Sequence, residues 1–518
     1  MRDQGSRRGG LRARSERRDG LARRVWMTAL IFLALFATSL VAQAAPQRLT
    51  LEEAITLAKS NNPTFLSTQN DQSAANWQVR EAYGQFVPSV RSSFGTTWQE
   101  AGAQRFGTIV FDDQITDWYF SGYNLNLGMT IDGNTIFGIP NARANKRATE
   151  ARISASEFNL ESTVALQYMS VLRALDGVDV ARRQLDRARQ NQQIVTTRVT
   201  TGAAAGTEGK QAEVDMGRAE VTLIQAERDL RQARLLLSEQ LGVAVAEDVT
   251  LLSEFEVFEP DYEVETLLQV ALGEHPSLNS FRAQESASRA AARQTSTSQY
   301  LPSINLSASF RGQAQQALNE SFVLNQAQDR ANSRMSSCEF NNTLANGLIG
   351  GLPGYSVQDC SAFALDDVGR QEALAANDQF PFNFTKIPLQ LSMSISLPIF
   401  TGFSRQRQVA QANNLAEDAE HNRRAEELRL RTMVTNTYDN LVSAYRVVQA
   451  ESRNRTLAEE QLLLQQRRYA LGAADMLFLM DAQTTMTTAE QAYLNAVYDF
   501  HYNLIALEAA VGQPLRAR

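Results

Sequence analysis

Four stretches of the chain alternate apolar and polar residues with a period of two, the spacing of a strand whose two faces meet different surroundings. In the sharpest, Leu389, Leu391, Met393, Ile395 and Leu397 share one face, and Gln390, Ser392, Ser394 and Ser396 share the other. Val90, Phe94 and Trp98 oppose Arg91, Ser93, Thr97 and Gln99 in the same way. Tyr123, Leu125, Leu127, Met129 and Ile131 oppose Asn124, Asn126, Thr130 and Asp132, and Ile304, Leu306 and Phe310 oppose Asn305, Ser307 and Arg311. The pattern predicts strands over about 89–99, 122–133, 303–311 and 388–399. Each is close to the length that crosses a bilayer at a tilt, about 9 to 11 residues.

Between the strands the period changes. No proline interrupts residues 142–201, where Val164, Tyr168, Val171, Leu175, Val178 and Leu185 follow the four-three spacing of a coiled-coil seam. Val434, Tyr438, Leu441, Tyr445 and Val448 repeat that spacing. The pattern predicts two long helices that turn at Gly202 and Gly472, with return helices over 207–241 and 475–511. Thr50 and Glu53 are spaced as a capping box opening a shorter helix, and Pro63 and Pro276 break the opening helices. Gly138, beside Pro140, and Gly402 mark the expected return to helix after the second and fourth strands.

The elements recur because the sequence is written twice. "FVPSVRSSF" from Phe86 returns as "YLPSINLSA" from Tyr300. At an offset of 270 residues, Val164 aligns with Val434, Tyr168 with Tyr438, 202–204 with 472–474, and Gly242 with Gly512. This divides the chain into a first repeat over 45–245, a linker over 246–262, a second repeat over 263–513 and a tail over 514–518. Residues 1–44 stand apart. Nine arginines precede the short apolar run "TALIFLALFATSLVA", which ends at Ala42-Gln43-Ala44, the layout of a secretory signal peptide.

Removing residues 1–44 takes away nine arginines and three acidic residues, so the formal charge moves from −7 for the whole chain to −13. An acidic, exported protein argues against nucleic acid as a partner. His275, His421 and His501 are scattered without ligand or triad spacing. No phosphate loop or nucleophile elbow is present, so the sequence offers no enzyme, metal site or cofactor. After the signal peptide no stretch is apolar enough for a membrane helix, and a membrane role falls to the strands. Hydrocarbon tolerates no unpaired strand edge, so strands there must close into a barrel. Four strands are too few, since about eight make the smallest transmembrane barrel. Two copies of the chain would supply eight strands and three would supply twelve. The helices alone would equally suit a soluble periplasmic coiled-coil scaffold or adaptor, an alternative that the four sided strands disfavour.

The motifs "LTLEEAITLAKSNNP", "QYLPSI", "LSMSISLPIFTG", "RRYALGAAD" and "YNLIALEAAVGQ", in this order and over essentially the whole mature chain, resemble the TolC family of outer-membrane efflux proteins. The first repeat departs from the pattern where "GNTIFGIP" replaces the Leu-Pro-Ile-Phe of the second. The resemblance implies an internally duplicated α+β membrane protein: a homotrimer with a 12-stranded β-barrel in outer-membrane lipid and an α-helical coiled-coil barrel in the periplasm. It implies a passive exit duct for efflux or type I secretion, partnered by a periplasmic adaptor and an inner-membrane pump of the RND or ABC type. The tips at Gly202 and Gly472 then become the periplasmic gate. By the same alignment Asp481 keeps one gate carboxylate and Phe478 replaces another. Tyr469 keeps a tying residue, Thr207 and Glu208 fill its partner region, and Ala474 stands where an arginine is expected. Three convergent Asp481 carboxylates would favour a bound cation, and three Phe478 rings would form an apolar constriction. The long insertion over about 312–386 suits an extracellular loop, and in an oxidising compartment its Cys338 and Cys360 are expected to pair.

Overall fold

The structure, a computed structural model, describes residues 48–102, 104–106, 109–111, 116–246, 249–252, 255–347 and 354–515. The signal peptide read at 1–44 lies outside the described residues. In chain order the elements are β1 (Arg48–Leu49), α1 (Leu51–Asn61), α2 (Pro63–Gly84), β2 (Ser89–Gln99), β3 (Gln104–Phe106), β4 (Ile109–Phe111), β5 (Trp118–Ile131), α3 (Gly133–Thr200) and α4 (Gly206–Leu241). They continue with β6 (Thr250–Leu251), α5 (Val264–Glu274), α6 (Pro276–Tyr300), β7 (Ser303–Ala317), α7 (Glu320–Gly347), α8 (Asp367–Asn377), β8 (Thr385–Ser396), α9 (Ser404–Ala470) and α10 (Met476–Val511).

By internal packing the chain forms two units, one from the described residues within 1–66, 157–264 and 434–518, the other from 67–156 and 265–433. These units cut across the repeats, and each takes corresponding segments from both.

In the first unit the seam residues are the core. Val164, Tyr168, Val171, Val434 and Leu441 are fully buried, and Phe500, Leu504 and Leu507 of α10 join them. Beside this core β1 pairs in parallel with β6. Tyr168 fastens the pair: its hydroxyl donates to the Leu49 carbonyl at 2.7 Å and accepts from the Leu252 amide at 3.1 Å. The Thr50 capping box is formed, with Thr50 Oγ1 accepting from the Glu53 amide at 3.2 Å and Glu53 Oε2 accepting from the Thr50 amide at 2.9 Å.

The second unit holds a four-stranded antiparallel sheet in the order β2-β5-β7-β8, so the two repeats meet at the β5–β7 ladder. Among the described residues β2 and β8 each leave one edge unpaired. The sided pattern places every apolar series on one face: Leu391, Met393 and Ile395 of β8 are 72%, 63% and 64% exposed.

Several boundaries differ from the sequence reading. β7 runs to Ala317 rather than about 311, because its apolar face there is written in Gly312 and Ala314, too small to read as a greasy strand. Gly312 lies where a Cβ would come within 2.3 Å of the Tyr123 ring. The same end of the sheet is covered by residues 379–384. Phe380 stacks on Tyr119 at 4.8 Å, Phe384 meets Tyr123 edge-on at 5.0 Å, and Ser121 Oγ donates to the Pro381 carbonyl at 2.7 Å. α3 begins at Gly133, before Pro140, because Asp132 Oδ1 accepts from the Thr135 amide at 2.8 Å and so caps the helix early. "GNTIFG" is therefore the first turns of a helix, whereas Leu397–Phe400 of the second repeat continue outside any helix or strand.

The insertion between β7 and β8, read as a loop, contains α7 and α8 with a short 3₁₀ turn at Cys360–Phe363. Cys338 and Cys360 are joined, with Sγ–Sγ 2.07 Å and Cα–Cα 5.7 Å. The Asn377 side chain brackets Ala317, accepting from its amide at 2.9 Å and donating to its carbonyl at 2.8 Å, which fixes the end of α8 to the end of β7.

Candidate functional site

The two helical turns of the first unit are built alike. Gly202 and Gly472 both adopt left-handed backbone, at φ +74° and +75°, a conformation that costs a side-chain-bearing residue steric strain. Each glycine amide bonds back three residues, Gly202 to the Val199 carbonyl at 3.1 Å and Gly472 to the Tyr469 carbonyl at 3.0 Å. Each following alanine bonds back five, Ala203 to Arg198 and Ala473 to Arg468, both at 2.8 Å. This is the paired-bond helix ending that satisfies otherwise orphaned carbonyls. The duplication has kept the backbone of the turn while the side chains around it diverged.

The next helices start differently. At α10 the Asp475 side chain accepts from the Leu477 amide at 3.3 Å. At α4 the N-cap is Ala205, which offers no side-chain acceptor, and Glu208 reaches back to the Ala205 amide at 3.3 Å. One Glu208 oxygen serves that amide, and the other accepts from the Tyr469 hydroxyl at 2.8 Å. Glu208 thus links the first turn to the second. Tyr469 is 1% exposed. Burial first, then the bond to Glu208 and its charge, pushes its hydroxyl up to about 12, so it stays protonated and donating.

A third participant is Arg198, which sequence reasoning missed. Its guanidinium lies over the Tyr469 ring at 4.3 Å, donates to the Tyr469 carbonyl through Nη1, and donates to the Ala203 carbonyl at 3.1 Å through Nη2. It therefore closes over both turns from above the ring. The duplication did carry a signal: Arg198 aligns with Arg468 at the same offset of 270, an arginine kept at both turns.

Beneath this clasp lies one apolar cluster holding Val195, Ala212, Leu462, Tyr469, Met476, Leu479, Ala482 and Met486. It fixes which face of α10 points inward. Phe478 and Asp481, three residues apart and hence neighbours on a helix surface, lie on the opposite face, where Phe478 is 58% exposed and Asp481 is also exposed. Of the residues singled out from the sequence, Tyr469 and Glu208 are in contact. Thr207 is exposed beside them, and Phe478 and Asp481 share an outward face. Among the described residues no group of three His, Cys, Asp or Glu could hold a metal ion, and no helix is long and apolar enough to cross a membrane.

A family model described as outer membrane efflux protein matches residues 54–243 and 367–513. No curated protein matches the chain. Solved structures do: CusC, with a TM-score of 0.64 at 18% identity, covering 89% of this chain and 92% of that one. The Campylobacter jejuni CmeC outer membrane channel gives 0.66 at 14% identity, over 89% and 85%. The open state of the Neisseria gonorrhoeae MtrE outer membrane channel gives 0.62 at 18% identity, over 90% and 89%.

Proposed function

Since the chain belongs to the outer membrane efflux protein family, we propose that three copies assemble into a passive exit duct, each contributing four strands to a 12-stranded barrel. The observation that carries this reading is the sheet itself: two unpaired edges and an apolar face left open by the chain. Lipid is a suitable cover for such a face, and identical neighbours are a suitable cover for such edges. The barrel lies in the outer membrane and the helical portion in the periplasm. A soluble scaffold would have no use for Leu391, Met393 and Ile395 on an open strand face. Transport through such a duct draws its energy elsewhere, so the partners are a periplasmic adaptor and an inner-membrane pump, as in tripartite efflux or type I secretion.

The turns at Gly202 and Gly472 form the periplasmic gate. In the trimer three Asp481 carboxylates and three Phe478 rings narrow the entrance, one by charge and the other by excluding water. The Tyr469–Glu208 bond and the Arg198 guanidinium hold the turns together in the closed arrangement. Single-channel recording of the mature protein tests this: Phe478→Ala and Asp481→Ala are expected to raise conductance. Unchanged conductance in both would refute the gate while leaving the duct intact.

A further inference from the structure

The four long strands carry no aspartate or glutamate at all, and they carry three basic residues, Arg91, Arg311 and Lys386. The ladders sort these three by face. Arg91 lies opposite Asn126 on β5, and Arg311 lies opposite Asn124, so both arginines stand on the polar face, on either side of β5. Along the strands they are two residues out of step, roughly 7 Å, and two strand spacings apart, roughly 10 Å. Lys386 belongs to the other face. A β-bulge between Ser309 and Arg311 shifts β8 so that Lys386 pairs with Gly312, which itself pairs with Tyr123 of the apolar series.

We infer that Arg91 and Arg311 form an anion-selecting ring in the duct, six guanidiniums in two neighbouring rows of the closed barrel, which favours passage of anionic solutes. This inference rests on the trimeric barrel proposed above. The arginines are exposed, and Arg311 has only neutral partners on the wall, Gln390 Oε1 at 3.2 Å and Ser309 Oγ at 3.4 Å. Guanidinium stays charged at any working pH. Among the described residues the carboxylates that flank β2 and β5 sit beyond the strand ends. Asp117 accepts from the Ala101 amide at 2.7 Å, Asp132 caps α3, and Glu100 follows β2. Each is at least six residues along a strand from the arginine rows, roughly 20 Å. Screening at physiological salt acts over about 8 Å, so those carboxylates leave the ring's field standing. The other residues of these two rows, Ser93, Asn124, Asn126, Ser309, Gln390 and Ile387, are all neutral. The sign preference therefore comes from the two arginines, and a low-dielectric wall concentrates it.

The test uses the mature protein in planar bilayers under a KCl gradient, with reversal potential as the readout. Arg91→Ser combined with Arg311→Ser is expected to lower the chloride-to-potassium permeability ratio by at least about threefold, whereas Lys386→Ser leaves it unchanged. A conducting double variant with the wild-type ratio overturns the ring. A wild-type protein that forms no pores overturns the duct instead. A second measurement needs no variant: inositol hexakisphosphate added on the barrel side is expected to block wild-type current at low salt, with relief at high salt. Current indifferent to that polyanion also overturns the ring.

Discussion

Leu479 of α10 and Leu391 of β8 are both leucines on regular elements, yet the first is 1% exposed and the second 72%. The contrast holds for their neighbourhoods. Around Leu479, side chains from four helices close into one cluster, and a hydrogen-bonded clasp sits above it. Around Leu391 the backbone pairs with β7, but most of the side-chain surface of Leu391, Met393 and Ile395 is left open among the described residues. The helical turns are finished by their own sequence, and the sheet needs a cover from outside. Burying a leucine contributes about 1.5–3 kcal/mol, so a row of open leucine, methionine and isoleucine positions is a large stabilisation waiting for lipid.

The largest expected effect breaks that contrast at the sheet. Met393→Lys puts a charge on the apolar face, at a cost of about 2–4 kcal/mol near the bilayer midplane. Ser392→Lys, one residue away on the polar face, is expected to be tolerated. Folding yield into lipid vesicles, followed by the mobility shift of unheated protein in gels, separates the two. Next in size is the insertion: Cys360→Ser removes a cross-link spanning 22 residues, worth about 3 kcal/mol by chain entropy. Limited proteolysis should then cut α7 and α8 faster while the barrel persists.

Smaller effects sharpen the other side of the comparison. Tyr469→Phe deletes the donor to Glu208 and is expected to cost about 1 kcal/mol, with more frequent channel openings in single-channel records. Arg198→Ala should add to it, since the guanidinium holds the ring and two carbonyls. The smallest effect is in pH. The Tyr469 hydroxyl is raised from 10.0 to about 12 by folding, so the folded protein keeps a proton that the unfolded chain has lost between those values. The clasp's contribution is therefore level below pH 10 and declines from pH 10 to 12. Opening frequency in that window is expected to rise in the wild type and to stay flat in Tyr469→Phe.

Legibility in the sequence follows the same divide. Strand faces were readable because an apolar and a polar side impose a strict period of two, and the long helices because their seams impose three and four. The end of β7 was not, since Gly312 and Ala314 carry no hydropathy signal, and Gly312 lies under the ring of Tyr123, which is distant in the chain. The start of α3 was misread because Pro140 looked like a boundary, while Asp132 supplies the cap eight residues earlier. In the clasp, Tyr469 and Glu208 came from a family likeness. Arg198 escaped because its partners are a ring face and two carbonyls, which leave no spacing in the sequence; its one mark there is the alignment with Arg468.

The central claim is that one chain holds only a third of the barrel. Native mass spectrometry of the mature protein, extracted in detergent and shown to conduct in bilayers, measures this most directly. The account predicts a mass of three chains for the conducting species. A conducting species with the mass of a single chain would contradict it.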